Sequence, residues 1–210
     1  MNCDAIAPWY RWLEYLAFGP ALHRRRLEYV DDTANAKRVL IFGDGDGRFT
    51  AEFLKRNGAA TVDSIDVSAG MMRLAERRIR RVNLEPGRVR LFVADAMTTE
   101  LRGSYDLVIS HYFLDCFTTN EIEKLISRVR DVVSPGARWL VSEFRAPEAG
   151  VRRLAAVLLI KALYLSFRIL TGLKAHWLPD YAAALKSGGF RRLRQRTALG
   201  GLLVSELWQR

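Results

Sequence analysis

The chain reads as an α/β protein of the doubly wound, Rossmann-like class: a mostly parallel seven-stranded sheet with an antiparallel C-terminal hairpin and a helical lid. Three observations predict this. Apolar strand-like runs alternate with helical patterns from Val39 to Phe144, a glycine-rich turn follows the first run, and two further strand-like runs close the chain. Strands alternating with helices at this spacing build parallel βαβ units covered on both faces, and ligands bind beyond the carboxyl ends of such strands.

Val39 to Phe42 is an apolar run with the glycine-rich turn behind it and a helical pattern, Phe49 to Arg56, behind that. Thr61 to Asp66 is the second strand, and Ser68 is placed to cap a basic helix reaching about Val82. Pro86-Gly87 turns the chain into a third strand, Val89 to Val93. Asp106 to Ser110 is the fourth. Thr118 with Glu121 three residues on forms a capping box for a helix ending near Ser134-Pro135-Gly136, and Ala137 to Phe144 is the fifth strand. After Val151 the rhythm changes to a long apolar helix, a shorter helix from Pro179 to Lys186, and the runs Phe190 to Thr197 and Leu202 to Trp208 joined through Gly200-Gly201. These last two fit an antiparallel hairpin.

At 210 residues, half of them apolar, the chain can bury a substantial core and fits one domain, 1–210. Its expected parts are an N-terminal helical cap (1–36), a cofactor-binding core (37–145), a helical lid (151–187) and the closing hairpin (188–210). The two cysteines, Cys3 and Cys116, supply neither a disulfide framework nor a metal-ligand spacing, so no metal is expected. The N-terminus lacks the unbroken apolar run of a secretory signal, which points to a cytoplasmic setting. Of the formal charge of +10, nine units fall after Val151, where 11 Lys and Arg meet only Asp180 and Glu206. That surface suits anionic lipid, nucleic acid or an acidic substrate, and equally a solvated basic face.

In Val39-Leu40-Ile41-Phe42-Gly43-Asp44-Gly45-Asp46-Gly47 three glycines stand on alternate positions between a strand and a helix. Bare backbone there lets a ligand approach closely, and the helix N-terminus offers N–H groups to a negative group. A dinucleotide fingerprint would put its third glycine one residue later, where this chain has Arg48. Asp66 ends the next strand about 20 residues on, where a carboxylate accepts the ribose hydroxyls of a nucleoside.

Four stretches in order, Val39 to Gly47, Ser64 to Met72, Phe92 to Ala96 and Tyr105 to Ser110, together with the closing hairpin, resemble the class I S-adenosylmethionine-dependent methyltransferases, in the style of small-molecule and quinone-modifying members. The resemblance implies S-adenosyl-L-methionine as cofactor. Gly43, Gly45 and Gly47 would pass under its methionine part, Asp66 hold the ribose, Met71 pack on adenine and Asp95 accept from the adenine amino group. Val67, Ala96 and Ser110 complete the implied cofactor set. It also implies an antiparallel seventh strand at the sheet edge. One departure stands out: the family usually carries an acidic residue where this chain has Ile41, so that either cofactor affinity is weaker or Asp44 substitutes.

Methyl transfer from a sulfonium is an in-line displacement that asks the protein mainly for alignment and exclusion of water. A hydroxyl acceptor also benefits from a general base. His111 directly follows the fourth strand and Asp115 comes four residues later; if the segment turns helically, the two share a face and the carboxylate can orient the imidazole. The alternatives are that His111 bonds the cofactor or backbone and that Asp115 caps the approach to the next helix. Cys116 reads as a small core residue.

Leu154 to Leu170 is very apolar but interrupted by Lys161 and Arg168, and falls short of a comfortable membrane span. At helical angles Arg153, Lys161, Tyr164 and Arg168 cluster on one side. The segment reads as a lid, with its basic stripe in water and its broad apolar face on substrate and core; a helix lying in an anionic membrane interface is the second reading. With the N-terminal run Trp9 to Leu16, which could stack on a flat acceptor, it points to a hydrophobic or aromatic acceptor, O- or C-methylated. The rival classes are a non-catalytic cofactor-binding protein on the same fold, a nucleotide-dependent oxidoreductase, and an RNA methyltransferase; the segment Ser110-His111-Tyr112-Phe113 lacks the Pro-Pro signature of amino-methylating enzymes on nucleic acid.

Overall fold

Short apolar runs buried along nearly their whole length dictate a sheet covered on both faces, and the amphipathic segments between them supply the cover. The structure, a computed structural model, describes residues 4, 7, 9–82, 87–147, 151–173, 175 and 177–210, without the side chains of residues 10, 11, 13, 151 and 152. Cys3 and Pro86 of the expected turn therefore lie outside the described residues, as do Tyr10, Arg11 and Leu13 of the aromatic run as far as their side chains are concerned.

The strands are β1 (Arg38–Phe42), β2 (Thr61–Asp66), β3 (Val89–Val93), β4 (Tyr105–His111), β5 (Val133–Phe144), β6 (Arg191–Ala198) and β7 (Leu203–Gln209). Among the described residues they form one seven-stranded sheet in the order β3-β2-β1-β4-β5-β7-β6. The first five are parallel, and β7 runs antiparallel to both β5 and β6. The order reverses at β1, which opens a crevice at the carboxyl ends of β1 and β4. The antiparallel seventh strand is not at the edge, as expected, but inserted between β5 and β6. Its side chains explain why: Leu203 to Trp208 are buried, whereas Arg191 to Thr197 of β6 are exposed and suit an edge.

The helices are α1 (Tyr10–Phe18), α2 (Ala21–Arg26), α3 (Arg48–Arg56), α4 (Ala69–Ile79), α5 (Thr119–Arg130), α6 (Val151–Thr171) and α7 (Tyr181–Ser187). Ser68 caps α4 by accepting from Met71 N, and Thr118 and Glu121 form the expected capping box of α5. That helix ends at Arg130, earlier than its sequence pattern suggests. Ser134, Pro135 and Gly136 lie inside β5, at a bulge where the pairing with β4 jumps from Tyr105↔Val133 to Leu107↔Arg138. One sheet face carries Phe42, Trp139 and Trp208 under α5 and α7; the other carries Ile41, Leu107 and Ile109 under α3, with its Phe49 and Phe53, and α4. A third cluster, including Leu22, Ile160, Tyr164 and Leu203, seats α6 beyond the strand ends.

α6 is the element most at variance with expectation. It is long and apolar enough, from Arg153 to Thr171, to cross a membrane by length and composition, so the expected shortfall in length does not hold. The side that bears Tyr164 faces inward, with Ala156 and Ile160 beside it, while Leu154, Leu158, Leu165 and Ile169 are exposed. Arg153, Lys161 and Arg168 of the expected stripe are in water, as expected, but Tyr164 of that stripe is buried and part of the apolar face is turned to solvent instead of to substrate and core. The inward face is held by the packing of Ala156, Ile160 and Tyr164, and the Tyr164 hydroxyl donates to the carbonyl of Asp115 at 2.8 Å.

Candidate active site

Beyond the switch point lies a cavity of about 440 Å³ with predominantly apolar walls. Its floor is the turn after β1. Gly45 adopts φ +63°, and a Cβ added there would meet nothing nearer than Met71 Sδ at 3.9 Å, so the backbone is open to a ligand. Gly47 serves packing instead: at φ +76°, its added Cβ would stand 2.7 Å from the Ala75 Cα, which welds the turn to α4. Gly43 and Gly45 line the cavity; Gly47 and Asp44 do not. Asp44 is turned inward, accepting from Thr50 N at 3.2 Å, and burial pushes its carboxyl up to about 6.

Asp66 ends β2 at the cavity wall. One carboxylate oxygen accepts from Gly45 N at 3.2 Å and the other from Ser68 N at 2.8 Å, which leaves further lone pairs on each for a ligand. Burial raises its pKa, partly offset by these two N–H bonds. Val67, Met71, Asp95 and Ala96 also line the cavity, and Asp95 is held by Met97 N at 2.8 Å. A planar base between Met71 and Ala96, with a ribose on Asp66, is the group this end of the cavity can hold. The residues fit the nucleoside of S-adenosylmethionine.

The other end is formed where β4 stops. Tyr112 takes a left-handed backbone conformation, φ +53°, unusual for a residue with a bulky side chain and characteristic of functional sites. The turn splits the pair expected to act together. His111 is buried on the opposite side of the sheet, its ring 4.6 Å from that of Phe49, with neither nitrogen bonded among the described residues. Burial, then the charge of Arg26, lowers its pKa well below the ordinary value. Asp115, in the 3-10 turn Leu114–Cys116, does line the cavity. The expected helical face shared by His111 and Asp115 is not formed, because His111 still belongs to β4 and alternation points it towards α3. Ser110 likewise turns away, its hydroxyl accepting from Trp139 Nε1 at 2.9 Å. Cys116 is half-buried at the cavity wall with its thiol 3.6 Å from an Asp115 oxygen.

Several residues of this region carry no local signal in the sequence. Glu143, fully buried on β5, accepts from Phe113 N and Leu114 N at 3.1 and 2.8 Å and so pins the turn after β4. Burial and then the neighbouring Asp115 raise its pKa well above that of an ordinary carboxyl. Glu14 of α1 also lines the cavity and is bound by Arg26 and Arg48. Among the described residues no group of three or more His, Cys, Asp or Glu is placed to hold a metal ion.

A family model described as Methyltransferase domain matches residues 39–136. The chain is 31% identical over 148 residues to a demethylmenaquinone methyltransferase of Thermus thermophilus, covering 69% of this chain and 65% of that one. It is 27% identical over 106 residues to a malonyl-[acyl-carrier protein] O-methyltransferase of Priestia megaterium, covering 50% of this chain and 36% of that one. The chain thus spans less than two thirds of either relative. In fold it resembles an O-methyltransferase family protein from Burkholderia thailandensis at a TM-score of 0.72 and 19% identity, covering 100% of this chain and 63% of that one.

The buried, neutral His111 has a measurable consequence. A depressed histidine pKa contributes stability that is present above its unfolded value near 6.5 and lost as pH falls below it. The stability of the wild type relative to His111→Leu is expected to fall by up to about 1.4 kcal/mol per pH unit below 6.5 in urea unfolding. A pH-independent difference contradicts this placement of His111.

Proposed function

We propose that this chain, of which residues 39–136 match a methyltransferase domain, is a class I, S-adenosylmethionine-dependent methyltransferase that methylates a small hydrophobic or aromatic acceptor, at oxygen or carbon. The observation that carries the reading is the continuity of the cavity. Its nucleoside end, at Asp66 and Asp95, runs without interruption into an apolar chamber walled by Phe144, Ile160, Tyr164 and Phe167. S-adenosylmethionine, when bound, supplies an activated methyl group. Gly43 and Gly45 give it backbone to lie against, Asp66 receives its ribose hydroxyls, and Met71 and Asp95 receive its adenine. The side chains of α6 exclude water from the acceptor.

Asp115 is the general base we assign for a hydroxyl acceptor, in place of His111. It lines the chamber, and burial pushes its carboxyl up to about 6, so it is ionised at neutral pH yet basic enough to take a proton. Glu143 behind it, raised further, keeps its proton and spares Asp115 a second negative charge. Asp115 would take the proton that a hydroxyl acceptor gives up when the methyl group leaves the sulfonium, which would become a thioether.

The acceptor reaches the chamber from a membrane surface in this reading. α1 and α6 both wall the cavity, and both leave large apolar side chains on the outside: Trp12, Tyr15 and Leu16 on the one, Leu158, Leu165 and Ile169 on the other. The exposed Lys161 and Arg168 flank the α6 face and match anionic headgroups. The location this implies is peripheral, at the cytoplasmic face. RNA is a poorer partner, because Arg192, Arg194 and Arg196 on the basic edge strand are paired with Glu206, Asp32 and Glu28.

Two experiments test this. With a panel of phenols and quinols, and product S-adenosylhomocysteine as the readout, kcat/KM is expected to rise with pH through a midpoint near 6, and Asp115→Asn to lower kcat by about 10²–10³ while leaving cofactor affinity in place. An unchanged pH profile in the variant removes Asp115 from the role. In sedimentation at low salt, anionic vesicles are expected to retain the protein and neutral ones to release it, with Leu158→Glu/Leu165→Glu weakening retention. Equal recovery in the supernatant with both vesicle types contradicts the membrane contact.

A further inference from the structure

The mechanism above leaves one charged group at the cavity wall without a task. Glu14 is almost fully enclosed, its side chain 5% exposed, and both of its oxygens are engaged. Arg26 grips it with two nitrogens at 2.7 and 2.9 Å, and Arg48 adds a third bond at 2.8 Å. Burial alone would raise its pKa, but the hydrogen bonds and charges of Arg26 and then Arg48 outweigh burial and keep it below the ordinary carboxylate value. Glu14 is therefore an anion facing a largely apolar cavity. Buried ion clusters are weak devices for stability, since desolvation consumes most of their Coulombic gain. One set into a ligand cavity is better suited to recognising charge on the ligand.

Its position in the fold says which part of a ligand it meets. Arg48 directly follows Gly47, so the guanidinium that reaches Glu14 belongs to the first residue of α3, where the glycine turn ends. Arg26 lies 5.1 Å from the ring centre of Tyr112, the residue at which β4 ends. The cluster thus bridges the turn after β1 and the end of β4. Asp66 and Asp95 follow β2 and β3, on the other side of β1 in the sheet order. A ligand with its nucleoside over β2 and β3 crosses Gly43 and Gly45 and arrives at this cluster with its far end. Among the described residues the glycine turn brings no carboxylate of its own to that end: position 41 is an isoleucine in the core, and Asp44 is turned away to Thr50.

We propose that Glu14, held between Arg26 and Arg48, is the receptor for an α-amino-acid head group, the ammonium and carboxylate of S-adenosylmethionine. The inference rests on the cofactor reading above and adds to it a residue from the N-terminal helix. Each Glu14 oxygen accepts from arginine and keeps capacity for an ammonium N–H. Asp46 pairs with Arg48 and Arg78, so the five side chains together, three guanidiniums and two carboxylates, leave one net positive charge for the ligand carboxylate. The arginines also fix the Glu14 rotamer before the ligand arrives, which lowers the ordering cost of binding.

The test compares two ligands that share a nucleoside thioether: S-adenosylhomocysteine, which has the amino-acid head group, and 5′-methylthioadenosine, which lacks it. In calorimetry on the full chain, Glu14→Gln is expected to weaken S-adenosylhomocysteine by about ten-fold or more and to leave 5′-methylthioadenosine within about two-fold. If Glu14→Gln does not fold, Glu14→Asp, which keeps the charge but withdraws it by one methylene, is expected to show the same selective loss. Equal loss of both ligands, or loss of neither, overturns the assignment. A folded wild type that binds neither ligand overturns the cofactor reading itself, which distinguishes the two failures.

Discussion

The Asp66 carboxylate is the interaction on which the site depends. One of its oxygens takes the N–H of Gly45 and the other that of Ser68, so a single side chain at the end of β2 joins the glycine turn after β1 to the first turn of α4. The turn is further locked by Gly47 against Ala75 and by Gly43 N donating to Ile65 O at 2.9 Å. Asp4 reaches the same place from the N-terminal segment, accepting from Ser68 Oγ and Gly70 N at 2.6 and 2.7 Å. Backbone that must come within contact distance of a ligand cannot be left to move, and here it is tied by charge-assisted bonds from both sides.

Much of this was readable from local signals. A glycine on alternate positions, a carboxylate at the next strand end and a Thr118/Glu121 capping box all act over a few residues, and the structure forms each of those local features. The strand ranges from β1 to β4 follow their apolar runs to within one residue at each end. What depended on the chain's three-dimensional course was less legible. His111 and Asp115 are four residues apart, but the left-handed Tyr112 between them sends the chain round a corner, and strand alternation puts the imidazole behind the sheet. Nothing in the order of residues distinguishes that corner from a helical turn.

The same limit explains α6 and Glu14. An apolar stripe is normally buried, yet here the side of the helix that carries Ala156, Ile160 and Tyr164 packs inward and Leu154, Leu158 and Leu165 face outward. Glu14 meets Arg48 across 34 positions of sequence and Arg26 across 12, separations at which pairing leaves no periodicity to detect. The missing acid at Ile41 was the one visible clue, since a cofactor with a charged tail requires an answering charge from some other part of the chain. In the proposed reading Glu14 of α1, which lines the cavity, is that charge.

The central claim is that this cavity binds S-adenosylmethionine through Asp66. Calorimetric titration of the folded wild type with S-adenosylmethionine, beside Asp66→Ala of matched thermal stability, tests it most directly. The account predicts saturable one-to-one binding by the wild type and no measurable heat with the variant. Binding that survives the substitution undiminished, or no binding by the folded wild type, would contradict it.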